Sequence, residues 1–378
     1  MKNLKIKSLV FVLLIVFMSS AVYGAFSSDG KGTTGATFLK IPRGVRATGM
    51  GGAYAGVSDD AESVFWNPAG LNKIDSMEIS AMHSMWFESI YYNYLNFVRP
   101  FEFGKAGFSL NYLGMDDIDK YTIDGVAADS AYSPYNLEAI GSYGREIDGH
   151  MVGVNLKIIH QSIDDETSTG AGLDLGYLRD INNNLTLGGA VQNIGPGVKF
   201  RNETDPLPLN IKTGASYKDL VDGLVLAMDL NFPVDNIPNL RMGTEYSRYF
   251  TEEFKGMARL GFKTSLIEDL EAISGLSAGM GISYSGITVN YTWDPYGKLN
   301  SAHRFALSYN FGTLSAPEKK LSSEELEQSK RDYFSEGHQL FADENYQKSI
   351  EKFKKVLELD PDHSYSLDYI ERAEKRLK

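Results

Sequence analysis

The chain has no cysteine, which excludes disulfides, thiolate chemistry and a lipid-attachment cysteine behind a leader. Past Met18 it has no uninterrupted apolar run of about eighteen residues, so a helical membrane protein is excluded. It has no block of basic residues against a formal net charge of −12, so nucleic acid is not an expected partner. The six histidines (83, 150, 160, 303, 338 and 363) show no metal-ligand spacing. No metal or cofactor is expected.

The first residues read as a signal peptide. Lys2, Lys5 and Lys7 precede an apolar run from Leu9 to Met18, and Val22 and Gly24 fit the small positions before a cleavage site after Gly24. The rest divides into a Gly-rich segment (25–75), a strand-rich region (76–312), a linker (313–320) and a charged helical tail (321–378).

In the strand-rich region the apolar period is two. Val152, Val154, Leu156 and Ile158 alternate with Gly153, Asn155 and Lys157; Leu224, Leu226, Met228 and Leu230 alternate with Val225, Ala227 and Asp229. Such a strand has one apolar and one polar face. A soluble sandwich also alternates, but these strands are near ten residues, long enough to cross a bilayer on a tilt. Their polar faces are rich in Gly, Ser and Asn, and short turns alternate with longer links. The expected strands are 77–86, 90–99, 105–114, 134–146, 151–162, 168–179, 185–194, 207–217, 223–231, 240–249, 256–264, 275–284, 287–294 and 302–311. An all-β transmembrane barrel of about fourteen antiparallel strands follows, with both barrel ends on the periplasmic side. Its outer face is expected to meet outer-membrane lipid. Met85, Trp86, Phe87, Ile90, Tyr91 and Tyr92 crowd the first hairpin and are expected in an interfacial girdle. Lys157, Asp174, Lys212, Asp229, Arg241, Glu245, Arg259, Lys263 and Arg304 fall on the inward faces. There they can be hydrated or paired, whereas on lipid each Lys or Arg costs roughly 2–4 kcal/mol. About fourteen strands leave a hole unless something fills it.

The segment before the barrel supplies a filler. Its core runs Gly49-Met50-Gly51-Gly52-Ala53-Tyr54-Ala55-Gly56, then Asp59-Asp60-Ala61, then Asn67-Pro68-Ala69-Gly70. Small residues allow close backbone approach, Asn-Pro-Ala-Gly reads as a turn, and Ser58 is placed to cap a short helix from Asp59. The segment is sized for a plug. These residues resemble the N-terminal signature of FadL-like outer-membrane proteins, and the preceding Phe38 to Ala47 is closer to the PorV/PorQ branch. The resemblance is strong over residues 38–71 and weak along the barrel. It implies a fourteen-strand barrel with an N-terminal plug, with Gly49, Gly51, Gly52, Asp59, Asp60, Asn67, Pro68 and Gly70 as its signature positions. FadL-like members move hydrophobic small molecules across the outer membrane; PorV members serve type IX secretion and surface display. Two departures weigh against a fatty-acid conduit: residues 25–37 are too few and too polar for a greasy hatch, and the inward faces are charged.

From Lys330 the tail fits one tetratricopeptide repeat of about 34 residues. Gly337 and Ser349 hold the small-residue places, Tyr346 and Phe353 the aromatic ones and Pro361 the closing proline, with Tyr333 and Leu340 extending the core. Ser364 to Leu377 is expected as a third helix. One repeat falls below the usual minimum for a stable array, which leaves the tail to pack on the barrel rim, to dimerise or to bind a partner. A protein of the periplasm or of a secretion system, bound through 321–378, is the expectation.

Gly275-Leu276-Ser277-Ala278-Gly279 matches a nucleophile-elbow pattern but continues as a strand, without the strand–turn–helix context that the motif needs. Asp116, Asp117, Asp119 and Asp124 cluster in the longest link without a calcium-loop spacing. An enzyme is not expected. The reading is an outer-membrane barrel in protein export or surface display, with a FadL-like solute channel and a structural envelope scaffold as alternatives.

Overall fold

The computed structural model describes residues 26–121, 124–125, 127–267, 270–312, 323–360 and 363–377. The expected signal peptide (1–24), the linker (313–320) and Pro361 lie outside the described residues. The chain separates into two compact units, residues 1–315 and 316–378.

The first unit is a closed antiparallel barrel. Its fourteen strands are β1 (Glu78–Met85), β2 (Ile90–Phe101), β3 (Gly104–Met115), β6 (Tyr135–Ile147), β7 (His150–Ile163), β8 (Glu166–Asp180), β9 (Leu185–Ile194), β12 (Asn210–Lys218), β13 (Leu224–Pro233), β14 (Asn239–Tyr249), β15 (Phe254–Lys263), β16 (Leu276–Tyr284), β17 (Ile287–Pro295) and β18 (Ser301–Asn310). Two small hairpins interrupt the series within links: β4 (Ile118–Tyr121) with β5 (Ala127–Tyr132), and β10 (Val198–Lys199) with β11 (Thr204–Asp205). Neither hairpin has an alternation that marks it in the sequence. Each barrel strand pairs with its neighbours in chain order, and β1 closes the ring on β18 in the register Ile79↔Tyr309 and Met82↔Ala306. Closure leaves no unpaired edge, the condition for a sheet in hydrocarbon.

The alternation sets the two faces. On β7, Val152, Leu156 and Ile158 are exposed on the outside, while Asn155 and Lys157 are buried inside. Leu226, Met228 and Leu230 on β13 and Phe305 and Leu307 on β18 continue the exposed apolar surface. Rings form bands on it. Tyr91, Tyr112, Tyr135 and His160 stack across β2, β3, β6 and β7 with centroids 5.9 to 6.0 Å apart. Phe101, Phe103 and Tyr143 form a second group toward the other end. Aromatic bands at both edges of an apolar belt are the pattern of a barrel in a bilayer. The first hairpin departs from expectation. Tyr92 is fully buried, on the inward face, and Trp86 packs on Phe87 and Tyr296 with the Arg304 guanidinium over its ring. Strand parity turns Tyr92 inward, so only part of this aromatic run joins the outer band.

Both barrel ends, Glu78 and Asn310, lie at one rim, here called the entry rim. The links at that rim are short turns, including the two residues Ser285–Gly286. The far rim carries the long links 116–134, 195–209 and 264–275, but also the two-residue turn Asp164–Asp165.

The second unit has three helices: α3 (Ser323–Ala342), α4 (Tyr346–Leu359) and α5 (Ser364–Leu377). Phe353 is fully buried; a Cβ at Gly337 would meet its ring at 2.9 Å, and the Ser349 hydroxyl donates to the Gly337 carbonyl at 2.8 Å. Small residues at these two places let α3 and α4 approach closely. Tyr346 packs edge-on against Phe341, and Tyr369 of α5 stacks on Phe353. Phe334 and Phe341, rather than Tyr333, carry the rings of α3 into this core; Tyr333 lies beneath Lys352 and Lys355 instead.

Candidate functional site: a stoppered lumen

The lumen is occupied by residues 26–76. The segment begins at the far rim, where the Phe26 amide donates to the Val234 carbonyl and the Gly35 amide to that of Pro206. It then descends through the barrel as two short helices, α1 (Val45–Gly49) and α2 (Ser63–Trp66), and a 3-10 turn over Pro68–Lys73. It leaves at the entry rim, where Lys73 pairs with Asp180 and Ser76 bonds Asn310. Met50, Tyr54, Val57, Trp66 and Leu71 along the way are fully buried.

The small residues on the barrel's inward faces have a structural cause. Gly153 and Gly176 lie against Pro68 and Ala69, Gly188 against Ala55, and Gly243 and Gly261 against Met50 and Gly51. In each case plug backbone occupies the space of an absent side chain. The signature glycines answer from the other side. Gly49 lies within contact of Thr292 and Gly279, and Gly51 presses on the backbone of β14 and β15. Gly51 and Gly52 also take φ of 67° and 77°, a turn that favours glycine. Gly70 sits against Ser58. Asn67 ties three parts together: its amide donates to the Ala55 and Tyr177 carbonyls, and its Oδ1 accepts from the Ala69 amide as Pro68 opens the 3-10 turn.

Arg46 organises the charge. Its guanidinium reaches Asp59 at 2.6 Å and Asp60 at 2.9 Å, and grips both oxygens of Glu245 at 2.9 and 2.8 Å. Lys218 holds the second oxygen of Asp59, and Arg259 bonds Glu245 at 2.5 Å and Asn290 at 2.8 Å. Burial opposes the Asp59 carboxylate, but Arg46 and Lys218 outweigh it and hold its pKa well below the usual range. Asp59 thus pins the plug to β12 through Lys218, Arg46 pins it to β14 through Glu245, and Asp60 steadies Arg46 from within the plug. Because Arg46 takes both signature acids, no helix starts at Asp59. Ser58 donates instead to the Tyr54 carbonyl, and α2 begins at Ser63. Glu62 accepts the amides of Val45, Arg46 and Ala47 at the start of α1. Burial and the neighbouring Asp60 push its carboxyl up to about 7, against the pull of those amides.

Most inward charges anticipated from sequence find partners. Lys157 pairs with Asp174 at 2.8 Å, Lys263 with Asp294 at 2.6 Å, and Arg304 with Asp294 and the Pro42 carbonyl. Asp229 accepts the amides of Tyr54 and Ala55, each at 2.8 Å. Arg43, Arg46, Glu138 and Asp294 were not among those singled out. Arg43 pairs with Glu138 in the buried lumen. Strand parity places Glu138 and Asp294 inward, and that signal was available. For the two arginines, nothing local shows that partners lie across the barrel. Ser277, the elbow-like serine, faces the plug and accepts the Gly51 amide at 3.1 Å. The acidic link is held by its hairpin and an ion pair between Lys120 and Asp164.

Besides an open cavity of about 470 Å³ at the far rim between Thr33, Thr34 and Leu207, two cavities lie deeper beside the plug. One of about 290 Å³ opens toward the entry rim beneath Arg46, Asp59, Asp60, Glu78, Glu245 and Lys255. Another of about 220 Å³ opens toward the far rim beside Trp66, Lys212 and Arg241. Of these two, the first has mainly polar walls; the second mixes amide and charged side chains with Leu39, Phe65, Trp66 and Leu266.

Comparison with known proteins places the fold. The toluene transporter TodX of Pseudomonas putida aligns over 70% of this chain and 96% of its own, at 11% identity with a TM-score of 0.51. The toluene transporter TbuX of Ralstonia pickettii aligns over 71% and 98%, at 12% identity and 0.49. A FadL homologue of Pseudomonas aeruginosa aligns over 72% and 99%, at 10% and 0.49. On the TodX match the first unit shares the barrel fold of that transporter. At the sequence level, the model of an uncharacterised protein family, UPF0164, matches residues 16–172, the span from ahead of the plug into β8. A search of curated proteins finds no match to this chain.

Proposed function

We propose that the protein is an outer-membrane barrel, closed by its own leading segment, that serves as a membrane-held platform in protein export or surface display. In this reading the entry rim and the three-helix unit face the periplasm, and that unit acts as a tetratricopeptide-type module for an envelope or secretion-system protein. The observation that carries the reading is the lumen. A segment passing from one rim to the other, locked by the Arg46 cluster and seated on inward glycines, suits a fixed stopper better than a greasy conduit. The short entry-rim turns support the orientation. The test is affinity capture with the full chain in detergent, compared with a chain lacking residues 321–378. Envelope proteins retained only by the full chain are the expected result; identical captures would refute a partner role for the tail.

A second reading is supported by the fold likeness to TodX: a channel for small hydrophobic solutes. It requires the plug to open, and the charged lumen weighs against it. Uptake of a monoaromatic hydrocarbon by liposomes containing the protein, above that of protein-free liposomes, would favour this reading over a platform.

A further inference from the structure

Two lumen cations form no salt bridge among the described residues, and they share one cavity. Lys212, only 5% exposed, projects from β12; its ammonium makes no ion pair and no hydrogen bond among the described residues. It lies 4.4 Å above the Trp66 ring and 5.4 Å above that of Phe65. Arg241, on β14, bonds Asn239 at 3.3 Å through Nε, and its guanidinium carbon is 5.8 Å from the same Trp66 ring. Neither has a carboxylate within salt-bridge distance. Of the two acids nearby, Asp235 is held by Lys40 and Thr34, while Asp229, opposite Arg241 across the β13–β14 pair, gives one oxygen to the Tyr54 and Ala55 amides and keeps the other unbonded, a single carboxylate for two cations. One carboxylate leaves an excess positive charge that is costly to bury, and an aromatic face offsets only part of that cost. Arg43, Arg46, Lys157, Arg259, Lys263 and Arg304 all have carboxylates in the same lumen. The exception is local.

The cavity beside the two cations has the size and lining of a small-anion site. Its volume, about 220 Å³, is room for about seven waters at bulk density. Amide side chains from Asn210, Asn231 and Asn239 line it, and it reaches the far rim past Pro233, Asn236 and Leu266. An acyl chain would find charged groups and too little length. A compact dianion would find two cations and the amide side chains of Asn231 and Asn239.

We propose that this cavity binds a small, doubly charged oxyanion of the phosphate or sulfate class, taken from the far-rim side, with Lys212 and Arg241 as its counter-charges. The site is independent of the platform reading and stands whether or not the tail binds a partner. The test is titration calorimetry of the full chain in detergent with inorganic phosphate and with sulfate, at fixed ionic strength. A chain with Trp86→Phe and Trp293→Phe allows Trp66 emission to report the same event. Saturable binding is expected. Lys212→Met and Arg241→Gln should each weaken it by about tenfold or more, since each removes charge-assisted hydrogen bonds. Lys105→Gln, at the entry rim, should leave it unchanged. Heat-modifiable migration checks that each variant is folded. Absence of saturable binding by the native chain up to tens of millimolar phosphate or sulfate would overturn the proposal. So would an adventitious ion only, seen as equal affinity in both cavity variants. Glucose 6-phosphate distinguishes a free ion from a phosphate on a larger headgroup: weaker binding than phosphate is expected, and tighter binding would refute a free-ion site.

Discussion

The two halves of the lumen solve the problem of buried charge in opposite ways. In the entry half, Arg46 is surrounded by Asp59, Asp60 and Glu245, with Lys218 and Arg259 closing the network. In the far half, Lys212 and Arg241 share a tryptophan face and a cavity without a salt bridge among the described residues. The same barrel wall and the same plug serve both. A cation whose partners reach across from plug to wall is a fastener, and its removal strands a carboxylate. A cation left open to a cavity contributes little to seating the plug and is free to meet a ligand.

Substitutions should separate the two. The largest effect is expected from Arg46→Ala. It leaves Asp60 without an ion pair and takes from Asp59 and Glu245 one of their two cations, at a cost of about 3 kcal/mol, the low end for a broken buried pair, so the urea midpoint of the folded chain should fall and the plug should become protease-sensitive. Gly243→Val comes next. The new side chain would enter the space of Met50 backbone, and such overpacking costs about 1–3 kcal/mol; denaturant unfolding checks it. Equal stability of that variant and the native chain would mean that the plug is not pressed against the wall.

The pH dependence of Glu62 gives a smaller, graded effect. Its carboxyl is raised in the folded chain to about 7 by burial and by Asp60. A raised acid favours the folded state while protonated. Its contribution is present below the unfolded value and is lost as pH rises through about 7. Urea midpoints should therefore drop between pH 4.5 and 7, and Glu62→Gln should flatten that drop. The smallest effect belongs to Lys212→Met. Removing an unpaired buried cation should change stability by less than about 1 kcal/mol, or raise it. A loss as large as that of Arg46→Ala would erase the contrast between the two halves.

The barrel was legible because its signal is local. Alternation such as Val152 to Ile158 fixes both the strand and the side each residue faces, and a polar face of Gly and Ser foretells something close behind it. The plug was legible as a compact, Gly-rich insert, but its fastening was not. Arg46 and Glu245 are separated by 199 positions in the chain, and no local rule pairs them. Ser58 illustrates the same limit. Its capping chemistry is real, but Asp59 and Asp60 are drawn to Arg46, and the hydroxyl turns back to Tyr54. In the helical unit the small positions Gly337 and Ser349 mark the close approach, whereas the choice between Tyr333 and its neighbour Phe334 depends on helix rotation, which one residue's spacing does not set.

The central claim is that residues 26–76 close the barrel from rim to rim. Single-channel recording in planar bilayers tests it most directly, with the native chain beside Arg46→Ala. The native protein should insert without steady conductance, and the variant should show frequent openings as its plug loosens. A large, continuous conductance from the native chain, unchanged in the variant, would contradict the account.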